Sequence, residues 1–305
     1  MNKNCLEKYY VERDISWMYF NERILQEAEK KNIPLLERLS FLGIYSNNLD
    51  EFFRVRVATL NRIVEYSDKN EKKEREKALQ TTKQITKLNS RFSKKFEDTV
   101  KEVTEALKTE NIFLLNEKEI DEEQQNYIRS FYLDKLNNSI KQLGNQTDDT
   151  IYLAIRLSKW EDDKKRPNKN YAFIELPIDE FGRFVRLPDK EGKSYLMYLD
   201  DVIRCCLPYI FTGMDYNQFE AYSFKFTKDA EMEIDTDLRN GMLQKISKGV
   251  KSRKKGEPIR VLYDSLMPKD VIKRVMEKLS VDKLDTILSS GRYYNHKDFM
   301  KFPDC

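Results

Sequence analysis

Several residue types on which common chemistries depend are scarce in this chain. Its 305 residues include one histidine, His296, four cysteines (Cys5, Cys205, Cys206 and Cys305), 9 glycines and 8 prolines. A lone histidine excludes two-histidine chemistry and forces any Ser-His-Asp or Cys-His arrangement through His296, for which the simplest reading is a surface or packing role. The cysteines show no metal-type spacing, which excludes a Cys/His zinc site and reads the thiols as reduced. No GxxxxGK[ST] loop occurs, and so few glycines leave no glycine-rich cradle for phosphates. No apolar run approaches the roughly 18 to 20 residues that cross a bilayer, and MNKNCLEKYYVERD lacks the apolar core of a secretory signal, so a cytoplasmic location is expected. Excess charge of one sign is missing too. The 55 basic and 52 acidic residues leave a net charge of +3, too balanced for general coating of nucleic acid.

What is present favours an ordered chain. Hydrophobic residues make up 40%, with 17 Phe and 17 Tyr, enough apolar material for a core and too much for disorder. At about 150 residues per domain, the length allows one large domain or two modest ones.

The first third reads as helices. Ser16 is placed to cap a helix whose apolar positions Trp17, Phe20, Ile24 and Ala28 recur at three- and four-residue steps. Pro34 suits the first turn of a second helix carrying Leu35, Leu36, Leu39 and Leu42. Residues 43–48 (GIYSNN) interrupt the pattern, which Leu49, Phe52, Phe53, Leu60 and Ile63 resume. A long charged helix follows, with a stripe of Ala78, Ile85, Leu88, Phe92, Phe96, Val100, Val103 and Leu107. Such stripes must bury against one another, so residues 1–108 are expected to form an antiparallel bundle.

Near residue 110 the character changes. The runs at 112–115, 151–158, 171–176, 184–187 and 258–263 read as strands, the last following a turn at Gly256. Helical stretches are expected at about 118–136, 195–212, 228–250 and 269–280. Residues 138–150 and 160–170 read as exposed connections. The fold class is therefore α+β, an N-terminal antiparallel helical bundle followed by a mixed α+β domain over 109–305.

The most informative segment is FLGIYSNNLDEFFRVR at 41–56. Two adjacent asparagines are more than a helix cap needs, and an Asn amide carries the donor and acceptor that read a purine edge. Capping and ligand binding both remain open from the residues alone. If the chain breaks after Gly43, Asn47 is the better placed for local backbone bonding. A basic run at Lys245, Lys248, Lys251, Arg253, Lys254 and Lys255 is either the solvated end of a helix or, at Lys251, Arg253, Lys254 and Lys255, a polyanion contact. Asp229, Glu231, Glu233 and Asp235 alternate on an expected helix and point in different directions, so they make no metal site.

Two long stretches, RDISWMYFNERILQEA at 13–28 and PLLERLSFLGIYSNNLDEFFRVRVA at 34–58, resemble the N-terminal domain of the bacterial polyphosphate kinase family. AYSFKFTKDAEMEI at 221–234, GEPIRVLYDSLMP at 256–268 and GRYYNHKDFMKFP at 291–303 resemble its middle, or head, domain. The resemblance implies a helical domain covering an ATP tunnel, and a head used in forming a homodimer. It implies the reaction of ATP with polyphosphate to give ADP and a chain one phosphate longer. It also implies that the second asparagine of YSNNLDEF, here Asn48, contacts the nucleotide, with Tyr45 and Asn47 in support. The family pattern GRYHNFKDF has histidine at the position of Tyr294 and phenylalanine at that of His296, so no phosphoryl-carrying role falls to His296. The family's phosphorylated histidine, its partner histidine and the arginines associated with magnesium belong to two C-terminal catalytic domains that would begin where this sequence stops. No catalytic residue is therefore expected here, and the missing half is expected either in continuation or as a separate chain. The other reading is a stand-alone truncated homologue that modulates a complete kinase.

Overall fold

The computed structural model describes residues 10–66, 72–142, 150–160, 167–228, 258–280, 287–294 and 296–303. Contacts divide these into two units, one of residues 10–103 with 296–302, the other of the described residues from 104 to 294 with residue 303. The basic run at 245–255 and, from residue 229 on, the helix expected at about 228–250 lie outside the described residues, residue 228 being the end of a strand.

The first unit is helical: α1 (Arg13–Glu29), α2 (Leu35–Phe52), a π-helical turn (Phe53–Val57), α3 (Ala58–Tyr66), α4 (Lys72–Ala106) and a 3-10 helix (His296–Lys301). Contacts along α1 and α2 run in opposite order. Trp17 stacks on Phe52 with ring centroids 4.1 Å apart, Asn21 bonds to Tyr45, and the Arg38 Nε donates to the Ala28 carbonyl at 2.6 Å. Between α2 and α4 the pairs Tyr45 with Phe96 and Arg38 with Glu102 are again antiparallel. The stripe expected on α4 is the buried one: Ala78, Ile85, Phe92, Phe96 and Val103 are buried, Leu107 is buried just beyond, and Leu88 and Val100 are half-buried.

Three local expectations fail, each for a physical reason. The cap of α1 is Glu12, whose carboxylate accepts from the N–H of Asp14 and Ile15 at 2.7 and 3.1 Å, not Ser16. Ser16 already donates its N–H to the Glu12 carbonyl at 2.8 Å and so lies inside the ladder. The buried face of α1 is Asp14, which accepts from Arg56 Nε at 2.9 Å, with Ile15, Met18, Asn21, Leu25 and Ala28, while Phe20 is 58% exposed. The expected face is turned by about one residue, roughly 100°, because large aromatics outweighed a buried asparagine in the pattern. Finally, no break follows Gly43. Helix α2 runs straight through 43–48, and a Cβ at Gly43 would stand 2.7 Å from Met300 Cγ and 3.0 Å from the Met300 backbone nitrogen. The glycine admits a close neighbour and does not end a helix.

The second unit contains β1 (Ile112–Leu115), α5 (Glu122–Asp134), β2 (Lys141–Gln142), β3 (Ile151–Lys159), β4 (Asn168–Glu175), α6 (Ile178–Phe181), β5 (Phe184–Lys190), β6 (Lys193–Tyr198), α7 (Leu199–Ile210), β7 (Gln218–Lys228), β8 (Pro258–Asp264), α8 (Lys269–Leu279) and β9 (Ile287–Ser290). One sheet has the order β2-β4-β3-β7-β8-β9 and the other β1-β6-β5, with parallel pairing only in β1–β6 and β8–β9. Successive residues of β3 point to opposite faces, and both faces are covered. Ile151, Leu153, Ile155 and Leu157 meet Ile128 of α5 and Val202, Ile203 and Cys206 of α7, while Tyr152 and Ala154 meet Val271, Val275 and Leu279 of α8. That explains why β3 reads as an almost unbroken apolar run.

The helix expected at 195–212 is in fact strand β6 followed by α7, since a short apolar run such as SYLMYL satisfies either period. Strand β2 and the first residues of β4 occupy parts of the two expected connections, and β7 and β9 pair as further strands. A buried ion network ties the segment before residue 295 to α7. Asp201 accepts from Arg204 Nη1 at 2.5 Å, Arg292 Nη2 at 2.7 Å and the Tyr293 hydroxyl at 2.6 Å. Arg292 also pairs with Glu117, and Arg204 Nη2 goes on to Ser223 Oγ at 2.7 Å. Beside it, Arg183 Nη2 donates to Asp200 Oδ2 at 2.9 Å and to the Tyr294 carbonyl at 3.3 Å. Burial, together with the charge of Asp201 and its hydrogen bond, pushes the Tyr293 hydroxyl far above its ordinary pKa.

Candidate functional site

The asparagines singled out by the sequence sit in the interior of α2, so neither is a helix cap. One residue of helix separates them by about 100°, and the consequence is unequal exposure: Asn47 is exposed and Asn48 half-buried. Tyr45 and Asn48 are three apart and share a face, the face toward α1. There both meet Asn21, which is only 1% exposed. The Asn21 Nδ2 donates to the Tyr45 carbonyl at 3.1 Å, and the Asn48 Nδ2 donates to the Asn21 Oδ1 at 3.3 Å.

These bonds assign both amides. A carbonyl can only accept, so the group of Asn21 that faces Tyr45 is its NH2 and the group that faces Asn48 is its oxygen. Asn48 must then present its own NH2 to Asn21. One hydrogen of that NH2 is used, and the second hydrogen and Oδ1 remain, a donor and an acceptor on one planar group. Such a pair matches the edge of an adenine, which offers an amino donor beside a ring-nitrogen acceptor.

Of the residues expected beside Asn48, Tyr45 is linked to it only through Asn21, which bonds the Tyr45 main-chain carbonyl. Its ring is buried and stacks on Phe96 with centroids 5.1 Å apart. Asn47 is not brought to the same group. Asn21 was missed at the sequence level, although a signal existed: Met18, Asn21, Leu25 and Ala28 follow helical spacing, and a polar residue on that stripe marks a buried bond or a site. His296 packs edge-on against Phe96, centroids 5.0 Å apart, and against Phe299 at 5.2 Å. Lys251, Arg253, Lys254 and Lys255 lie outside the described residues. Among the described residues no cluster of three His, Cys, Asp or Glu side chains is arranged to hold a metal, and no helix is long and apolar enough to cross a membrane.

A helical unit with this amide pair, followed by a mixed α+β unit, defines a two-domain segment, and each part matches a family model. Residues 10–115 match the polyphosphate kinase N-terminal domain and residues 123–302 the polyphosphate kinase middle domain. The chain belongs to the polyphosphate kinase family. It is 35% identical over 312 residues to the polyphosphate kinase of Vibrio parahaemolyticus, covering 98% of this chain and 43% of that protein. With the Escherichia coli polyphosphate kinase the identity is 36% over 313 residues, covering 98% of this chain and 44% of the relative. The crystal structure of polyphosphate kinase from Porphyromonas gingivalis superposes with a TM-score of 0.76 at 26% identity, over 96% of this chain and 41% of the other. The chain thus spans less than half the length of the curated relatives it matches.

Proposed function

We propose that these residues form the nucleotide-contacting and subunit-associating part of a polyphosphate kinase that converts ATP and polyphosphate(n) into ADP and polyphosphate(n+1). The observation that carries the reading is the half-buried Asn48 amide, held at one edge by Asn21 and offering a donor and an acceptor at the other. Phosphoryl transfer needs positioning and stabilisation of the moving charge, and through a phosphohistidine it needs a nucleophile as well. His296 is engaged in aromatic packing, so these residues by themselves position ATP and do not transfer its phosphate. Magnesium enters through domains beyond the matched part, and a cytoplasmic location belongs to the same reading.

Two measurements test it. With the chain joined to or mixed with the catalytic half, Asn48→Ala raises KM for ATP and leaves kcat nearly unchanged, the mark of a lost binding contact. An unchanged KM refutes the role of Asn48. For the head, sedimentation velocity of the chain should show a dimer, whose interface needs about 800 Å² per partner to be specific. A monomer at all accessible concentrations removes the head from subunit association.

A further inference from the structure

We infer that Asn21 is a positioning residue that fixes the rotamer and the amide orientation of Asn48 through a buried relay ending on the backbone of α2. The inference rests on the reading of Asn48 as a nucleotide contact and adds how that contact is set up.

An asparagine on a half-exposed helix face turns about two side-chain bonds, and its terminal torsion is broad, so a ligand would have to order it on binding. Asn48 is ordered beforehand. Its amide leans on Asn21, which cannot turn because it is 1% exposed between Met18 and Leu25 on the packed face of α1. Asn21 in turn bonds the carbonyl of Tyr45, a main-chain group in the middle of an 18-residue helix. Each step of the relay is therefore tied to something more rigid than the step before. The direction is fixed as well, since the terminal acceptor is a carbonyl.

Packing alone does not require this residue. Leucine occupies an adjacent position of the same stripe at Leu25, fully buried. A mid-helix carbonyl already accepts within the helix ladder, so removing the Asn21 amide orphans no backbone group. A buried amide in place of an apolar side chain carries a desolvation cost with no packing return. Its yield is a fixed Asn48.

The test uses the full chain and the variants Asn21→Leu, Asn21→Ser, Asn48→Ala and the double variant Asn21→Leu/Asn48→Ala. The first readout is the side-chain amide NMR signal of Asn48, assigned by its disappearance in Asn48→Ala. In the parent chain it should be shifted and rigid. In Asn21→Leu it should move toward the free-amide position and gain fast motion while the melting curve stays cooperative. Asn21→Ser, smaller and polar, gives the same readout should leucine disturb the helix packing. The second readout is ATP binding by calorimetric titration. Asn21→Leu should weaken ATP by about three- to tenfold, the worth of one hydrogen bond, and should add nothing in the Asn48→Ala background. An Asn48 signal that ignores both substitutions at Asn21 overturns the positioning role and reduces Asn21 to helix packing. ATP binding that is absent, or indifferent to Asn48→Ala, overturns the nucleotide reading instead, and the NMR outcome still decides the role of Asn21.

Discussion

Among the described residues, the polar side chains buried in the helical unit are mostly neutral, Asn21, Thr81, Asn89 and Thr99, with Asp14 and Arg38 the charged ones, each paired to a more exposed partner, whereas the head unit buries Arg183, Asp200, Asp201 and Arg204 close together. Thr99 satisfies itself on the Lys95 carbonyl of its own helix at 2.8 Å, and Asn21 on a neighbouring helix. In the head, the buried charges are satisfied both within their own helix and from distant segments. Asp201 draws donors from α7 itself and from residues 292 and 293, and Arg204 reaches across to β7. The difference concerns what each unit can lose. A neutral buried group removed cleanly costs one modest bond, but one member removed from an ion network leaves the others charged, buried and unpaired.

The largest expected effect follows from that contrast. Asp201→Ala takes the only carboxylate paired with Arg204 in the network. It leaves that buried guanidinium with the Ser223 hydroxyl and the Ala221 carbonyl, and Arg292 with Glu117, and should cost about 3–5 kcal/mol in urea unfolding. A loss below about 1 kcal/mol would break the comparison, because the network would then be no more demanding than the helical interior. An intermediate effect is expected at Gly43. Gly43→Ala overpacks against Met300 and should cost about 1–3 kcal/mol, with Met300→Ala restoring only part of it. The backbone nitrogen of Met300, 3.0 Å from the new Cβ, is not removed by trimming the side chain. Full restoration would show that the contact is with the side chain alone. The smallest effect belongs to Asn47, exposed in the interior of α2. Asn47→Ala should change stability by no more than about 0.5 kcal/mol in a thermal melt. A larger drop would restore the cap that the sequence suggested.

Where the sequence was legible, one physical signal dominated. The α4 stripe is visible because a 35-residue helix repeats its period many times among charged residues. Strands β3 and β8 are visible because β-branched and aromatic residues crowd a short span. In α2 the reasoning failed because glycine and paired asparagines are turn formers in general, and only the approach of Met300 explains a glycine inside that helix. In α1 the apolar rings of Trp17 and Phe20 turned the expected face away from Asn21. The Asn48 role came from resemblance. Its relay to Asn21 depends on two helices meeting 27 residues apart in sequence, which no local pattern records.

The close fit at Gly43 also bears on the order of events during synthesis. The helical unit recruits residues 296–302, so its interior is closed by a segment made about 250 residues after the glycine that receives it. At about 5–20 residues per second, the groove on α2 stays uncovered on the ribosome for roughly 10 to 50 s while the whole head emerges and begins to fold. The N-terminal helices therefore gather early but are sealed late, and a nascent chain halted before residue 296 would leave the surface of α2 around Gly43 without its neighbour.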